Sequence, residues 1–223
     1  MEKVKDILEL ARNGIPQALS RFNDGEIGII MDHNFIAARG DQKGSVELQA
    51  ALRDAILHEQ ENYWKGYPCP ICMVRQWKYC VDSRLYNPEY PYNTYAVVNT
   101  NRNWEFFYKG LYDALEGKKV VWVSGNDQNI NVLPFDIIKH IVVRSKNSWV
   151  NYYQILDDCL KIVKPGYFFI VSCGPMARVL VKDLFDTRSD ATYLDLGSTY
   201  DPFTRDVWHK CHKGTLKPCK GCN

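Results

Sequence analysis

Tyr167-Phe168-Phe169-Ile170-Val171-Ser172 runs directly into Cys173-Gly174-Pro175 and then into Met176-Ala177-Arg178-Val179-Leu180-Val181-Lys182-Asp183-Leu184-Phe185. The first six residues are apolar on both alternating faces, which reads as a strand buried on both sides. The glycine punctuates the run, and Pro175 suits the first turn of a helix, predicted over 175–185. Strand, tight turn and helix in that order describe half of a βαβ unit. The same alternation extends to either side. Strands are expected at Lys119–Ser124 (KVVWVS), His140–Arg144 (HIVVR) and Thr192–Leu196 (TYLDL), and helices over 101–116, 134–139 and 150–163. Doubly apolar strands alternating with helices predict an α/β fold: a Rossmann-like, mainly parallel sheet with helices on both faces.

Upstream, Val4, Ile7, Leu8, Leu10 and Ala11 fall at helical spacing over residues 2–13, and Asn13-Gly14 followed by Ile15-Pro16 marks the stop. Ala18–Phe22 reads as a short strand, and Ile27–Met31 resumes an apolar run beyond it. A long helix is expected over 45–63. Residues 64–95 differ in kind, with Trp64, Tyr67, Trp77, Tyr79, Tyr86, Tyr90, Tyr92 and Tyr95 among four prolines. They read as an irregular aromatic lobe whose rings either form a satellite core or stack on a sugar or base. The expected organisation is a single domain over 1–205 followed by a Cys/His-containing tail over 206–223.

The 223 residues are 46% hydrophobic and 24% charged, and a formal net charge of +2 is spread along the chain. That balance gives no footprint for nucleic-acid binding. The charged start, Met1-Glu2-Lys3-Val4-Lys5-Asp6, lacks the apolar centre of a signal peptide, and no apolar run approaches the length of a membrane span. Eight cysteines are too few for a disulfide scaffold of this length. A cytoplasmic or nuclear protein is expected.

Between the first strand and the following apolar run lies Ser20-Arg21-Phe22-Asn23-Asp24-Gly25-Glu26. Two carboxylates separated only by glycine suit a hard cation such as Mg²⁺ or Mn²⁺, which takes few protein ligands and shares its shell with substrate phosphates. Gly25 allows a sharp bend and close approach by a phosphate, and Arg21 offers a planar fork of donors to phosphate oxygens. Asn-Asp-Gly is equally ordinary turn chemistry. Three further loops follow predicted strands: Ser124-Gly125-Asn126-Asp127, Cys173-Gly174-Pro175 and Gly197-Ser198-Thr199-Tyr200-Asp201. Each brings glycine, and the second also brings a helix start, which together favour a bound anion. None carries a full dinucleotide or P-loop signature.

Two CxxC pairs, Cys69/Cys72 and Cys219/Cys222, could close a tetrahedral Zn²⁺ site, with His209, Cys211 and His212 near the second pair. Their separation along the chain is far wider than that of compact zinc motifs.

ALSRFNDGE, with Arg21, Phe22, Asp24, Gly25 and Glu26, resembles the N-terminal element of glycosyltransferases with the GT-D fold. FIVSCGPMARVLVKDL and TYLDLGSTYDPF resemble the Gly-Pro segment and the closing Asp-x-Gly-Ser element of that family, in the same order. Asn23 departs from it, standing where glycine is common, and so does the cysteine-rich tail. The resemblance implies a metal-dependent enzyme that transfers a sugar from a nucleotide-sugar donor, a UDP-sugar above all, to a glycan or glycoconjugate acceptor. It further implies that Asp24 and Glu26 bind Mn²⁺ or Mg²⁺ with the donor diphosphate and that Arg21 assists there. Gly174 and Pro175 would shape the donor pocket, with Asp195, Ser198 and Asp201 near the sugar or acceptor. Asp201, His140 and His209 are the candidates for a general base. Two other readings use the same chain: an S-adenosylmethionine-dependent methyltransferase with KVVWVSGND as its cofactor loop, and a non-catalytic zinc-stabilised binding module. Neither employs the paired carboxylates.

Overall fold

In the computed structural model of the chain, residues 2–37, 42–95 and 104–207 are described. Helix α1 (Glu2–Arg12) ends where its sequence signals. Gly14 takes φ +66°, the Gly14 N–H donates to the Ala11 carbonyl at 3.1 Å, and the Ile15 N–H donates to the Leu10 carbonyl at 2.9 Å. That pair of bonds is the Schellman closure, which glycine favours because it has no Cβ to clash in the left-handed region. Strand β1 (Ala18–Arg21) leads through Asn23 into α2 (Asp24–Met31). The pair β2 (Ile36–Ala37) and β3 (Gln42–Lys43) forms a small antiparallel ribbon, and α3 (Val46–Leu57) precedes β4 (Tyr63–Tyr67). Then come α4 (Val74–Asp82), β5 (Asn93–Tyr95), α5 (Trp104–Leu115) and β6 (Val120–Gly125). The second half holds β7 (Ile137–Val143), α6 (Tyr152–Ile162), β8 (Phe168–Ser172), α7 (Met176–Thr187), β9 (Thr192–Asp195) and the short α8 (Asp201–Thr204).

Among the described residues, seven strands join in one sheet in the order β5-β4-β1-β9-β8-β6-β7, every pairing parallel. The α/β expectation holds. Alternation along β8 shows why both faces had to be apolar: Phe169 and Val171 pack with α2, α3, α6 and α7, whereas Phe168 and Ile170 pack with α1 and α5. Each large ring so buried contributes about 1.5–3 kcal/mol.

Two local expectations fail. The helix expected over 134–139 does not form, because Ile137–Val143 is a β-branched run that pairs with β6 as an edge strand. The aromatic stretch 64–95 is not irregular either. It opens inside a fully buried strand, Tyr63–Tyr67, paired with β1, so the helix expected to reach residue 63 stops at Leu57, and α4 and β5 follow within the stretch. Trp64, Tyr67 and Tyr90 are core residues, and Trp77 and Tyr86 pack against the cluster that holds Tyr67.

Candidate active site at the carboxyl end of the sheet

Parallel strands bring the loops that follow them to one edge. The chain leaves β1 into α2 and β8 into α7, both on the same face, but leaves β9, which lies between those strands, toward Tyr200 and α8 on the other. Connections that part to opposite faces open a crevice at the carboxyl ends of β1, β9 and β8, where ligands of open α/β sheets collect.

Beneath that crevice lies a buried quartet of charges. The Arg21 side chain donates through Nε to the Asp195 carbonyl at 2.7 Å and through Nη2 to Asp195 Oδ1 at 3.2 Å, and its backbone N–H donates to Oδ2 at 3.2 Å. Arg178 on α7 sits 3.2 Å from Asp195 Oδ2 and 3.3 Å from Glu26 Oε1, and donates to the Arg21 carbonyl and to the Gly174 carbonyl, the latter at 2.6 Å. None of the four is more than 5% exposed. Burial pulls the Arg21 guanidinium below its ordinary value against the opposing pull of Asp195. Arg178 feels the same burial, but Asp195 and Glu26 together raise it. Two cations and two anions neutralise one another, the condition under which charges survive burial.

Glu26 has a second duty. Its Oε2 accepts from the Asn23 N–H at 2.9 Å, half of a capping box that starts α2 directly after β1. Asn23 is extended, at φ −108°, so no unusual dihedral is asked of it. Gly25 is likewise helical rather than sharply bent, and its lack of a side chain matters because a Cβ would stand 3.3 Å from the Ala37 Cβ.

Asp24 differs from its neighbour. It occupies the first position of α2, exposed, where the helix N-terminus favours an anion. With the quartet balanced, Asp24 is a surplus negative charge at the mouth of the crevice. Arg21, expected at the donor phosphates, is paired with Asp195. That aspartate, expected near the sugar, is wholly buried and anchors two arginines. Arg178 escaped the sequence reading, although a lone charge in the apolar run Met176–Val181 was the signal available for it.

The remaining loops frame this centre. Gly174 takes φ +66° with open space where a Cβ would be, and Pro175 stands at the residue just before α7 in helical conformation. Gly197, at φ +49°, passes so close to Arg21 that a Cβ would lie 2.1 Å from Nη2. Gly197→Ala is therefore expected to displace the guanidinium and lower stability by about 1–3 kcal/mol, measured by urea denaturation; unchanged stability would show that the quartet relaxes without cost. Ser198 follows on the same loop, half-buried, and Ser172 Oγ donates to the Gly197 carbonyl at 2.7 Å. Asp201 is buried on α8, 3.9 Å from Arg205, which also pairs with Asp127 at 3.1 Å beside the exposed Asn126. His140 lies on β7, 3.0 Å from the buried Ser124 Oγ, three strands away from β9. Cys69 is buried and Cys72 exposed on the loop after β4, whereas His209, Cys211, His212, Cys219 and Cys222 lie outside the described residues.

The profile of the family described as Glycosyltransferase GT-D fold matches residues 72–215, well over half of the chain. The chain belongs to the GT-D-fold glycosyltransferases. The matched span of this GT-D chain carries Gly174, Arg178, Asp195 and the Gly197-Ser198 loop, and Asp24 and Glu26 precede it. Solved structures agree on the fold. A domain of unknown function 1792 described as having a distinct glycosyltransferase fold superposes with TM-score 0.69 at 20% identity, covering 90% of this chain and 79% of the other. A second, described as a new glycosyltransferase (DUF1792) from Streptococcus sanguinis, gives TM-score 0.70 at 18% identity over 93% and 85%. No curated protein matches. Family membership leaves the methyltransferase reading of KVVWVSGND without support. No helix of the described residues is long and apolar enough to cross a membrane.

Proposed function

We propose that this GT-D glycosyltransferase is metal-dependent and transfers a sugar from a UDP-sugar to a glycan or glycoconjugate acceptor, with the donor diphosphate lodged at Asp24. The observation that carries the reading is the division of labour inside Asp24-Gly25-Glu26: an exposed carboxylate above a neutral buried quartet, at the crevice where the sheet's connections part. Among the described residues no group of three or more His, Cys, Asp or Glu side chains could hold a metal. Mg²⁺ and Mn²⁺ take few protein carboxylates and leave most of the shell to water and substrate phosphates; the exposed Asp24 fits that role, whereas both Glu26 oxygens are taken by Arg178 and the Asn23 N–H.

Asp24 is the ligand in this reading, and Glu26, the expected second ligand, fixes the helix start that carries Asp24 through the capping box. A bound cation supplies neutralisation of the departing nucleoside diphosphate. Around it the chain provides the amino ends of α2 and α7, whose dipoles favour phosphate, and the bare Cα of Gly174, which lets phosphate approach the backbone. Asp201, buried beside Arg205, is the acidic residue of the β9 loop that would serve an acceptor hydroxyl once substrate enters.

Incubation with UDP-, GDP- and TDP-sugars and Mn²⁺ should give donor-induced thermal stabilisation and nucleotide release for the UDP-sugars, both abolished by EDTA. Stabilisation that survives EDTA would refute metal dependence, and a preference for GDP- or TDP-sugars would refute the choice of nucleotide.

A further inference from the structure

At the carboxyl ends of β6 and β7 a cavity of about 360 Å³ is lined by Asn126, Val142, Val143, Arg144, Ser145 and Lys146. Its polar lining consists of two cations, an amide and a hydroxyl, with no carboxylate among the six. Arg144 and Lys146 are exposed, and neither has an acidic partner among the described residues, whereas Lys119, Lys161, Arg188 and Arg205 are each paired with an aspartate. Asp127, next to Asn126 in the chain, is engaged by Arg205, and Asp136, the acid nearest the two cations along the chain, is paired with Lys119.

The bend that presents these two cations is held in place. Asn147 adopts the left-handed conformation at φ 48°, ψ 48°, and its Oδ1 accepts from the Lys43 N–H at 2.9 Å. Ser148 Oγ then donates to the Cys173 carbonyl at 3.1 Å, tying the bend to the loop that carries Gly174. The cavity is thus fixed relative to the crevice rather than hung on a loose loop. In the strand order, β6 and β7 stand three and four strands from β1, which at about 4.8 Å per strand is roughly 14–19 Å from the end that carries Asp24. That is too far for one diphosphate to touch both sites, and the intervening gap has the dimensions of a small saccharide.

We infer that this cavity is a second anion site, separate from the donor diphosphate, and that it holds a phosphate group carried by the acceptor. Arg144 supplies a planar fork and Lys146 a point charge, with Asn126 and Ser145 completing the donors around the phosphate oxygens. The acceptor assignment rests on the sugar-transfer reading above; the anion site itself does not.

The test titrates inorganic phosphate, glucose 6-phosphate, and UDP with Mn²⁺ against wild type, Arg144→Gln/Lys146→Gln and Asp24→Asn, following backbone amide shifts. Phosphate and glucose 6-phosphate should bind wild type and Asp24→Asn alike and lose at least about tenfold in affinity in the double variant, as expected for two lost charge-assisted hydrogen bonds. UDP with Mn²⁺ should show the opposite pattern, weakened by Asp24→Asn and indifferent to the double variant. Arg144→Lys/Lys146→Arg, which retains both charges, should keep phosphate binding within a few fold. Wild type that binds neither phosphate probe, or a double variant that binds both as well as wild type does, overturns the proposal. Loss of UDP binding in the double variant also overturns it, because the cavity would then belong to the donor. Absence of UDP binding by wild type sinks the donor reading instead, and the phosphate arm still decides this one.

Discussion

Asp24→Asn is expected to lower kcat/KM for sugar transfer by about two to three orders of magnitude, the scale of removing a group that stabilises transition-state charge, while leaving the fold intact. Asn keeps the shape and a carbonyl oxygen but gives up the surplus charge that would draw a cation to the crevice. Asp24 is exposed, and its neighbours Glu26, Arg178 and Asp195 keep their ion pairs without it. Thermal midpoint should therefore move little. Full activity in Asp24→Asn with Mn²⁺ supplied would remove this residue from the donor site. Glu26→Gln should behave differently, lowering stability as well as activity, because it leaves Arg178 short of one of its two anionic partners.

Arg178→Met should be the most destabilising single change at this edge of the sheet. It strands Glu26 and Asp195 as buried carboxylates with only Arg21 to offset them, and removes donors from the carbonyls of Arg21 and Gly174. Breaking a buried ion pair from one side costs about 3–5 kcal/mol, which for a chain of this length corresponds to a fall in midpoint of roughly 10 °C. Arg178→Lys should recover little, because an ammonium on one stem cannot serve four acceptors arranged around a planar fork. A calorimetric midpoint within about 2 °C of wild type for Arg178→Met would show that the quartet contributes no net stability.

These two residues mark where sequence reading succeeds and where it stops. The strand-turn-helix at Phe168–Thr187 and the alternation around it were legible because burial on both faces leaves an unbroken apolar run, a signal that survives in one dimension. Asp24 and Glu26 were legible as a pair because a single glycine separates them. Their difference in role was not, since the residue that turns Glu26 inward, Arg178, lies far along the chain and meets it only through the sheet order. Asp195 and Arg21 each carry the chemistry of a ligand contact, and spacing does not reveal that they pair with one another across the sheet. Residues 64–67 read as part of a lobe because aromatic residues and prolines punctuate the region, yet β4 is an internal strand paired with β1 on one side and β5 on the other. Ile137–Val143 shows the converse, where Pro134 suggested a helix start and β-branched pairing with β6 prevailed.

Among the described strands, β9 is the last to leave the ribosome and the one that closes the sheet, lying between β1 and β8. Until residues 192–195 are translated, the nascent chain can assemble only β1-β4-β5 on one side and β8-β6-β7 on the other, each with a bare edge facing the vacancy. Asp195 arrives with that strand and supplies at one stroke the shared counter-charge of Arg21 and Arg178. Completion of the sheet and assembly of the site are therefore one event in the life of each molecule. A chain cut short before Asp195 would leave Arg21 without its carboxylate partner, Arg178 with Glu26 alone, and two strand edges unpaired.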